Sequence, residues 1–327
     1  MTKLIVGLFI AVASMYWALK NQSFDAISTE ITSANWWLML VVAVLFMMQQ
    51  MARSHRQMLL VRVRVPNHRF MTSFNILCVS FLFINTLPLR MGEVLRPILF
   101  LEKENLDFGS STAIVLLERI IDLISAILML LIVLSFANIS LDNIDWLKDA
   151  QRTMSYFLPI LVAIAFFPFL AQNKLERLVQ HSLFPRKLRS FFLSFLQQIK
   201  ALEHSTLILI LMETIGIWML TAVMYWVGAQ AFAIDIIGFV ESIGLLAFTM
   251  MGMAAPSAPG FAGTYEAAFV AGLDIFGSEN SARNFAFALC FHWWVHVVQS
   301  SSGLYFLAKD QRSFSEIWRK LKAKQAS

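Results

Sequence analysis

The chain has 327 residues, of which 58% are hydrophobic and 14% are charged. Soluble domains carry about 25% charged residues, so the composition excludes an ordinary soluble protein and predicts an all-α polytopic membrane protein. The net charge of +5 predicts no nucleic-acid binding, because the basic residues fall in short linkers where membrane-orientation signals lie. Both cysteines, Cys78 and Cys290, lie in apolar segments and predict neither a disulfide nor a metal site. No cofactor is predicted.

The first apolar segments suggest how the chain is oriented. Residues 4–19 and 36–51 are two predicted spans, and the linker at 52–70 has five arginines and no acidic residue. By the positive-inside rule, this linker and the N-terminus are expected to be cytoplasmic.

Seven further apolar segments complete the membrane pattern: 71–87, 109–137, 154–171, 206–230, 241–256, 264–277 and 284–308. The basic linker 172–205 and the basic tail 309–327 are predicted to be cytoplasmic, and the acidic loop 138–153 external. Within the basic linker, residues 188–202 have apolar and basic positions at helical spacing, which favours a helix on the inner leaflet.

Two of the apolar segments are interrupted in a similar way. The first break lies in FINTLPLRMGEVLRPILFLEKE at 83–104, and the second in MAAPSAPGFAGTYEAAF at 253–269. A Pro-x-x-x-Gly pattern occurs in both, and the two patterns are offset by 171 positions. A glutamate follows each pattern, Glu93 in the first and Glu266 in the second.

Counting crossings predicts an inverted repeat. The linker before the first break is predicted to be inside and the loop after 109–137 outside, so 71–104 forms an inner hairpin. By the same count 241–277 forms an outer hairpin. We therefore expect about six full spans and two oppositely oriented re-entrant hairpins in a single domain, 1–327. Its parts are a first half (1–137), a connecting segment (138–205) and a second half (206–308).

The first break carries the sharpest candidate site. The apolar run breaks after Asn85, and three charged residues follow the break: Arg90, Glu93 and Arg96. Charges at membrane depth cost roughly 2.5–3.5 kcal/mol each on insertion scales, so their presence favours a function. Two arginines near a helix N-terminus suit a phosphate headgroup. The alternative is that they only mark the cytoplasmic boundary.

A second group of charges lies inside a predicted span. Glu118 and Asp122 are four residues apart on one helix face, and Arg119 could neutralise Asp122. The group carries one net negative charge, so one acid is expected to pair with Arg90 or Arg96. An internal salt bridge that orients the hairpin is an equally good interpretation, compatible with function.

Other polar residues complete the candidates. In the second break, Gly260 and Gly263 permit close backbone approach or positive φ, with Pro259 and Glu266 beside them; a tight surface turn is the alternative. Glu213 is a lone acid in a span that could carry a proton or pair with a histidine. His292 and His296 lie four apart, and without a third ligand they favour aromatic packing over a metal site.

Three of these stretches, NTLPLRMGEVLRP, ERIIDL and APGFAGTYEAA, resemble the transmembrane flippase-like region of lysylphosphatidylglycerol synthases over nearly the whole chain. In the bifunctional members this region moves an aminoacylated phospholipid that a separate soluble domain makes, and that domain is not seen here. By position, the family's elements fall on the following residues: Arg90, Gly92, Glu93, Arg96; Glu118, Arg119, Asp122; Pro259, Gly260, Gly263, Glu266. The middle of the last motif departs from the commoner PGGLGxxE form, which bears on substrate identity.

The resemblance implies a bacterial inner-membrane flippase, not an enzyme, that translocates an anionic phospholipid or a polyprenyl-phosphate lipid. No catalytic or nucleotide-binding motif is found in the sequence. The expected partner is therefore a membrane lipid, with an envelope-biosynthesis enzyme as a further possible partner. Two alternatives stay open: an intramembrane enzyme acting on a lipid phosphate, and a non-transporting scaffold of a glycosyltransferase complex.

Overall fold

The computed structural model describes residues 2–20, 22–87, 92–136, 145–254 and 258–310. Within these residues the chain forms thirteen α-helices and no strand. Their bounds are α1 Thr2–Leu19, α2 Phe24–Ser33, α3 Trp36–Arg62, α4 Phe70–Thr86, α5 Gly92–Glu104, α6 Phe108–Phe136, α7 Asp145–Leu170, α8 Gln172–Gln180, α9 Arg186–Lys200, α10 His204–Ala231, α11 Phe239–Ala254, α12 Thr264–Ile275 and α13 Ser281–Lys309. The predicted all-α class is thereby confirmed.

Among the described residues, two helices are long and apolar enough to cross a membrane by length and composition, namely α3 and α10. They pack against each other. The prediction of about six full spans goes beyond this finding and stays a prediction.

The prediction of a linker at 52–70 is wrong for residues 52–62, which are helical. Helix α3 continues from Trp36 to Arg62, because residues 52–62 contain neither glycine nor proline and the first proline after them is Pro66. The predicted span therefore ends eleven residues too early. Arg53 and Arg56 lie on the membrane-spanning helix instead of in a loop.

Helices also occupy parts of two other predicted loops. Residues 20–35 contain α2, whose first turn is capped by Ser23 through a hydrogen bond from the Ala26 N–H, 3.2 Å. The predicted loop 138–153 contains the start of α7 at Asp145. Residues 137–144 and the tail from 311 lie outside the described residues.

The two breaks are helical hairpins. Helix α4 packs against α5, and α11 packs against α12. A 3-10 turn, Pro259–Phe261, precedes α12. The amphipathic helix predicted at 188–202 is present as α9, which packs with α8 and covers the start of α6.

Two apolar cores lie under these elements. One lies among α3–α6 and includes Ile76, Phe83, Leu95 and Phe100, all 0–1% exposed. The other lies among α10–α13 and is rich in aromatic rings. Its stacked or edge-on members are Tyr225, Phe269, Phe287 and Phe291.

Candidate functional site

A cluster of charged side chains lies between α3, α5 and α6. Arg53 and Arg56 are one turn apart on α3, and Arg96 comes from the first half of α5. Helix α6 contributes the remaining members, Glu118, Arg119 and Asp122. Leu77 of α4 closes the narrow cleft that these six residues line.

Arg56 and Asp122 form a bidentate ion pair. Arg56 Nη1 lies 2.8 Å from Asp122 Oδ1 and Nη2 lies 3.2 Å from Oδ2, so the guanidinium donates to both carboxylate oxygens. Arg56 Nη1 also donates to the Thr214 hydroxyl on α10, 2.8 Å. Both charged side chains are buried, at 2% and 6% exposed. The pair therefore holds α3, α6 and α10 together.

Arg96 forms the second buried pair, with Glu118. Arg96 Nη1 donates to Glu118 Oε2, and both residues are 3% exposed. The Arg96 guanidinium also lies over the Phe81 ring, 5.8 Å from its centroid. The expectation that one acid of the ERxxD element pairs with Arg90 or Arg96 is confirmed for Arg96.

The remaining charges lie at the rim of the cleft. Arg119 Nη2 is 3.5 Å from Glu93 Oε1, and these two side chains are 35% and 30% exposed. Arg119 was expected to neutralise Asp122. Arg56 pairs with Asp122 instead, because α3 packs beside the middle of α6. Arg53 has no carboxylate nearer than Asp122, at 4.0 Å, and its guanidinium lies 5.5 Å from the Trp218 ring.

The cleft has an excess of positive charge. Its lining holds four arginines and two carboxylates, and Glu93 offsets one of the two extra charges from the rim. Two buried donors, Arg56 Nε and Arg119 Nε, and one buried acceptor, Glu118 Oε1, have no hydrogen-bond partner among the described residues. Buried arginine donors without a partner, beside a surplus of positive charge, favour an anionic ligand.

Glu213 lies next to this cluster and pairs with a histidine, as expected. His55 Nδ1 is 2.5 Å from Glu213 Oε1. This contact joins α3 to α10 at the residue directly before Arg56 and leaves Glu213 Oε2 without a partner among the described residues. Arg90, the other arginine predicted at the first break, lies outside the described residues.

The glycines of both breaks permit close backbone contact, which was predicted for the second break only. A Cβ on Gly92 would lie 2.3 Å from the Ile84 nitrogen, so this glycine lets α5 press against α4. A Cβ on Gly263 would lie 2.2 Å from the Ala11 carbonyl oxygen. Gly260 and Gly263 also have φ of 68° and 86°, which only glycine adopts without strain.

Glu266 caps the helix that follows the second break. Its Oε2 accepts a hydrogen bond from the Gly263 backbone N–H, 2.7 Å, and its Oε1 lies 2.7 Å from His292 Nδ1. The His292 ring stacks on Tyr265 at 4.0 Å and meets His296 edge-on at 4.3 Å. The predicted aromatic packing of the histidines is confirmed. No group of three possible metal ligands occurs in the part of the chain that the structure describes.

The two breaks touch each other. A Cβ on Gly260 would lie 3.3 Å from the Asn85 carbonyl oxygen and 3.3 Å from His296 Nε2. Asn85 Nδ2 donates to Gln299 Oε1 of α13, 2.7 Å. Pro259 begins the turn that makes this contact. The polar ends of both hairpins therefore meet at one junction inside the molecule.

Arg53, Arg56, His55 and Thr214 were missed by reasoning from the sequence. The arginines were assigned to a linker because a cluster of five arginines matches an orientation signal. Two signals could have found them: the unbroken helical sequence through 62, and the spacing of three that places Arg53 and Arg56 on one face. Thr214 could not have been found, since only the packing of α10 brings it to Arg56.

The comparison with known families agrees with these features. A family model described as the lysylphosphatidylglycerol synthase TM region matches residues 4–303. No curated protein is significantly similar to the chain. The match includes both breaks, the charged cluster of α3, α5 and α6, and the histidine–glutamate pair. The chain therefore belongs to the lysylphosphatidylglycerol synthase TM region family, a membrane-associated family.

Proposed function

We propose that this protein is a flippase that moves a lipid with an anionic phosphate headgroup between membrane leaflets. The observation that carries the proposal is the arginine-rich cleft among the helices. Guanidinium groups bind phosphate oxygens through paired N–H donors. Arg53 and Arg119 are the members whose guanidinium groups have the weakest carboxylate partners, so they are the residues that would bind the headgroup.

The cleft has a route of entry. Arg119 and Glu93 at its rim are about one third exposed, whereas Arg96 and Glu118 at its floor are almost fully buried. A headgroup that enters at the rim would displace Glu93 from Arg119 and contact Arg53 beyond it. The buried pairs would hold the helices in place while the rim pair opens.

An inverted repeat would supply the two states that such movement needs. In its support, corresponding helices have similar lengths in the two halves: α3 and α10 have 27 and 28 residues, α4 and α11 have 17 and 16, α5 and α12 have 13 and 12, and α6 and α13 have 29 each. Rocking of one half against the other around a site between broken helices is a common transport mechanism.

The location that we propose is the bacterial inner membrane, with both termini cytoplasmic. Six full spans place both termini on the same side of the membrane, and each of the two oppositely oriented hairpins enters and leaves on one side. An enzyme of envelope biosynthesis would make the lipid, because the proposed role of this chain is transport and not catalysis.

The test is native mass spectrometry of protein purified in a mild detergent. We expect an anionic lipid to copurify with the wild type, and Arg53→Gln to lower its occupancy about tenfold, which corresponds to about 1.4 kcal/mol. The control Arg69→Gln removes an exposed arginine at the start of α4 and should keep the lipid. Equal lipid in all three proteins would contradict the proposed site.

Transport itself is tested in liposomes that contain the purified protein. We expect fluorescent phospholipid or polyprenyl-phosphate lipid to cross between leaflets with the wild type and Arg69→Gln, and to remain where it is with Arg53→Gln. No movement of any phosphate lipid, beside an active flippase control, would contradict transport. Chemical conversion of the lipid in detergent would instead favour an intramembrane enzyme.

A further inference from the structure

The Glu266–His292 pair at the second break is almost fully buried. Glu266 is 0% exposed and His292 is 2% exposed. Both carboxylate oxygens have partners, the Gly263 N–H and His292 Nδ1. His292 Nε2, in contrast, is a buried atom without a hydrogen-bond partner among the described residues. The pair therefore has one open position, on the imidazole.

Two opposing effects act on the charge of this pair. The N-terminus of α12 and the Gly263 N–H favour an ionised carboxylate. Burial in apolar surroundings disfavours a net charge. An ionised Glu266 beside a neutral His292 carries one negative charge, and a proton added to His292 Nε2 makes the pair neutral while Nδ1–H still donates to Glu266. The two forms of the pair differ only in this one proton, which water supplies.

The surroundings contain few other titratable groups. Tyr265 of α12 stacks on His292, and its hydroxyl is 2.9 Å from that of Tyr225 on α10. His296 is one turn along α13. Helix α4 presents the Asn85 backbone carbonyl near the Gly260 turn, and α1 presents the Ala11 backbone near Gly263. The ion pairs among the described residues link Glu266 and His292 only to each other.

The His292 ring meets the ring of His296 edge-on at 4.3 Å, and His296 lies at the contact between the two hairpins. His296 Nε2 also lacks a partner in the described part of the chain, and it lies beside Gly260 where the second break touches Asn85 of the first. A change in how the hairpins meet would therefore change the surroundings of both imidazoles. This arrangement connects the charge of the pair to the position of the hairpins.

We propose that Glu266 and His292 form a proton-binding site, and that its proton is exchanged as the hairpins move. Proton binding stands on the geometry alone, whereas coupling to lipid movement rests on the proposed function. Glu266 holds the Nδ1–H tautomer of His292, and His292 Nε2 takes and releases the proton.

The first test is NMR spectroscopy of the full-length protein in micelles with nitrogen-15-labelled histidine. The chain has six histidines, and His292→Gln identifies the signals of His292. Spectra recorded at pH values from about 8 to about 5 should show protonation of Nε2 on acidification in the wild type and none in Glu266→Gln. The exposed His204 provides the control His204→Gln, which should leave the His292 signals unaltered.

Two results would overturn the proton site: constant His292 signals throughout this range in the wild type, or an unaltered titration in Glu266→Gln. Glutamine keeps an oxygen that can accept from Gly263, and folding of the variant is checked by circular dichroism. If Glu266→Gln does not fold, the wild-type titration of His292 alone decides the question.

The second test separates this inference from the proposed function. Liposomes that contain the protein and a pH-sensitive dye report lipid and proton movement together. We expect both movements in the wild type, and lipid movement in His292→Gln that no longer responds to a pH gradient. Lipid movement without proton movement in the wild type would overturn the coupling and leave the flippase proposal standing. Failure of lipid movement would overturn the flippase proposal, and NMR would still decide the proton site.

Discussion

Two regions of the molecule bury different kinds of side chain. Where α3, α5 and α6 meet, ion pairs are buried beside the apolar core of these helices, with Arg56 and Arg96 each bound to a carboxylate. Among α10, α12 and α13 it is made of packed aromatic rings such as Tyr225, Phe269 and Phe291. The second half keeps one buried ion pair, Glu266–His292, at its break.

This difference bears on how each half responds to change. Packed rings have close neighbours on every side, so they keep one arrangement. Ion pairs can exchange partners, and Asp122 of the first half has more than one arginine within reach, since Arg53 and Arg56 both approach it. We interpret the first half as the part that adapts to a ligand and the second as the more rigid part.

The largest expected effect comes from breaking the buried pair of the first half. Arg56→Met leaves Asp122 buried without its guanidinium partner, and loss of one partner from a buried pair costs about 3–5 kcal/mol. The double variant Arg56→Met/Asp122→Leu should recover part of this loss, since it removes both charges of the pair, while Arg53 loses its nearest carboxylate, 4.0 Å away. Unfolding of the purified protein in denaturing detergent, followed by circular dichroism, measures both. Equal stability of single and double variants would contradict the pairing.

A smaller effect is expected from the glycines of the two breaks. Gly263→Ala introduces both a clash with Ala11 and a strained positive φ, which together cost about 3 kcal/mol. Gly92→Ala introduces only the clash with Ile84, so we expect about 1–2 kcal/mol. Thermal unfolding of both variants gives the order. The control is Gly216→Ala, where a Cβ meets no atom within 4 Å and a helix interior gains up to about 1 kcal/mol.

If Gly92→Ala proved the more damaging of the two, the backbone strain assigned to the second break would be wrong. If Gly216→Ala were equally damaging, the losses would reflect helix substitutions in general and not the contacts at the breaks.

The smallest effect concerns the caps of the helices that follow the hairpins. The Asp107 carboxylate accepts from the Ser110 N–H and hydroxyl before α6, at 3.0 and 2.7 Å, whereas neutral Asn280 caps α13 through the Arg283 N–H, 3.0 Å. Burial of Asp107 acts to raise its pKa, but the hydrogen bonds from Ser110 prevail and lower it. A lowered pKa stabilises the fold above the unfolded pKa of about 4, and the contribution is lost as the pH falls through the folded value.

We therefore expect Asp107→Ala to cost about 1 kcal/mol at neutral pH, and the difference from wild type to shrink as the pH falls below about 4. Asn280→Ala should cost a similar amount through its neutral cap, and it also removes the hydrogen bond that Asn280 Nδ2 donates to Glu30 Oε1, 3.0 Å. Unfolding measured from neutral to acidic pH tests both variants. A loss in Asp107→Ala that does not depend on pH would show that its cap does not act through the ionised carboxylate.

Much of the fold follows from the sequence because proline and glycine interrupt the apolar runs. The apolar runs ending at Thr86 and Ala254 predict α4 and α11 to within a few residues, since the proline- and glycine-containing segments after them cannot continue a helix. The extent of α3 was mispredicted because charge was given more weight than helix propensity. Arginines signal a boundary only when they are exposed, and exposure depends on which helices pack around them.

The site could be predicted only in part. The sequence was enough to select Glu118, Asp122 and Arg96, because ionised groups in apolar runs need partners. It could not assign the partners, since Arg56 reaches Asp122 across 66 positions of the chain. The pairing of His292 with Glu266 was hidden for the same reason, although both residues were noted separately.

The surplus positive charge of the cleft would have an electrical consequence under the proposed function. A membrane potential acts on each charge that it moves with about 2.3 kcal/mol per 100 mV. Without lipid, the extra guanidinium charge of the cleft would feel this field as the hairpins shift. A bound anionic headgroup would neutralise that charge, and the loaded cleft would move without electrical work. The voltage across the membrane would then govern the return of the empty protein and leave the lipid-carrying step unaffected.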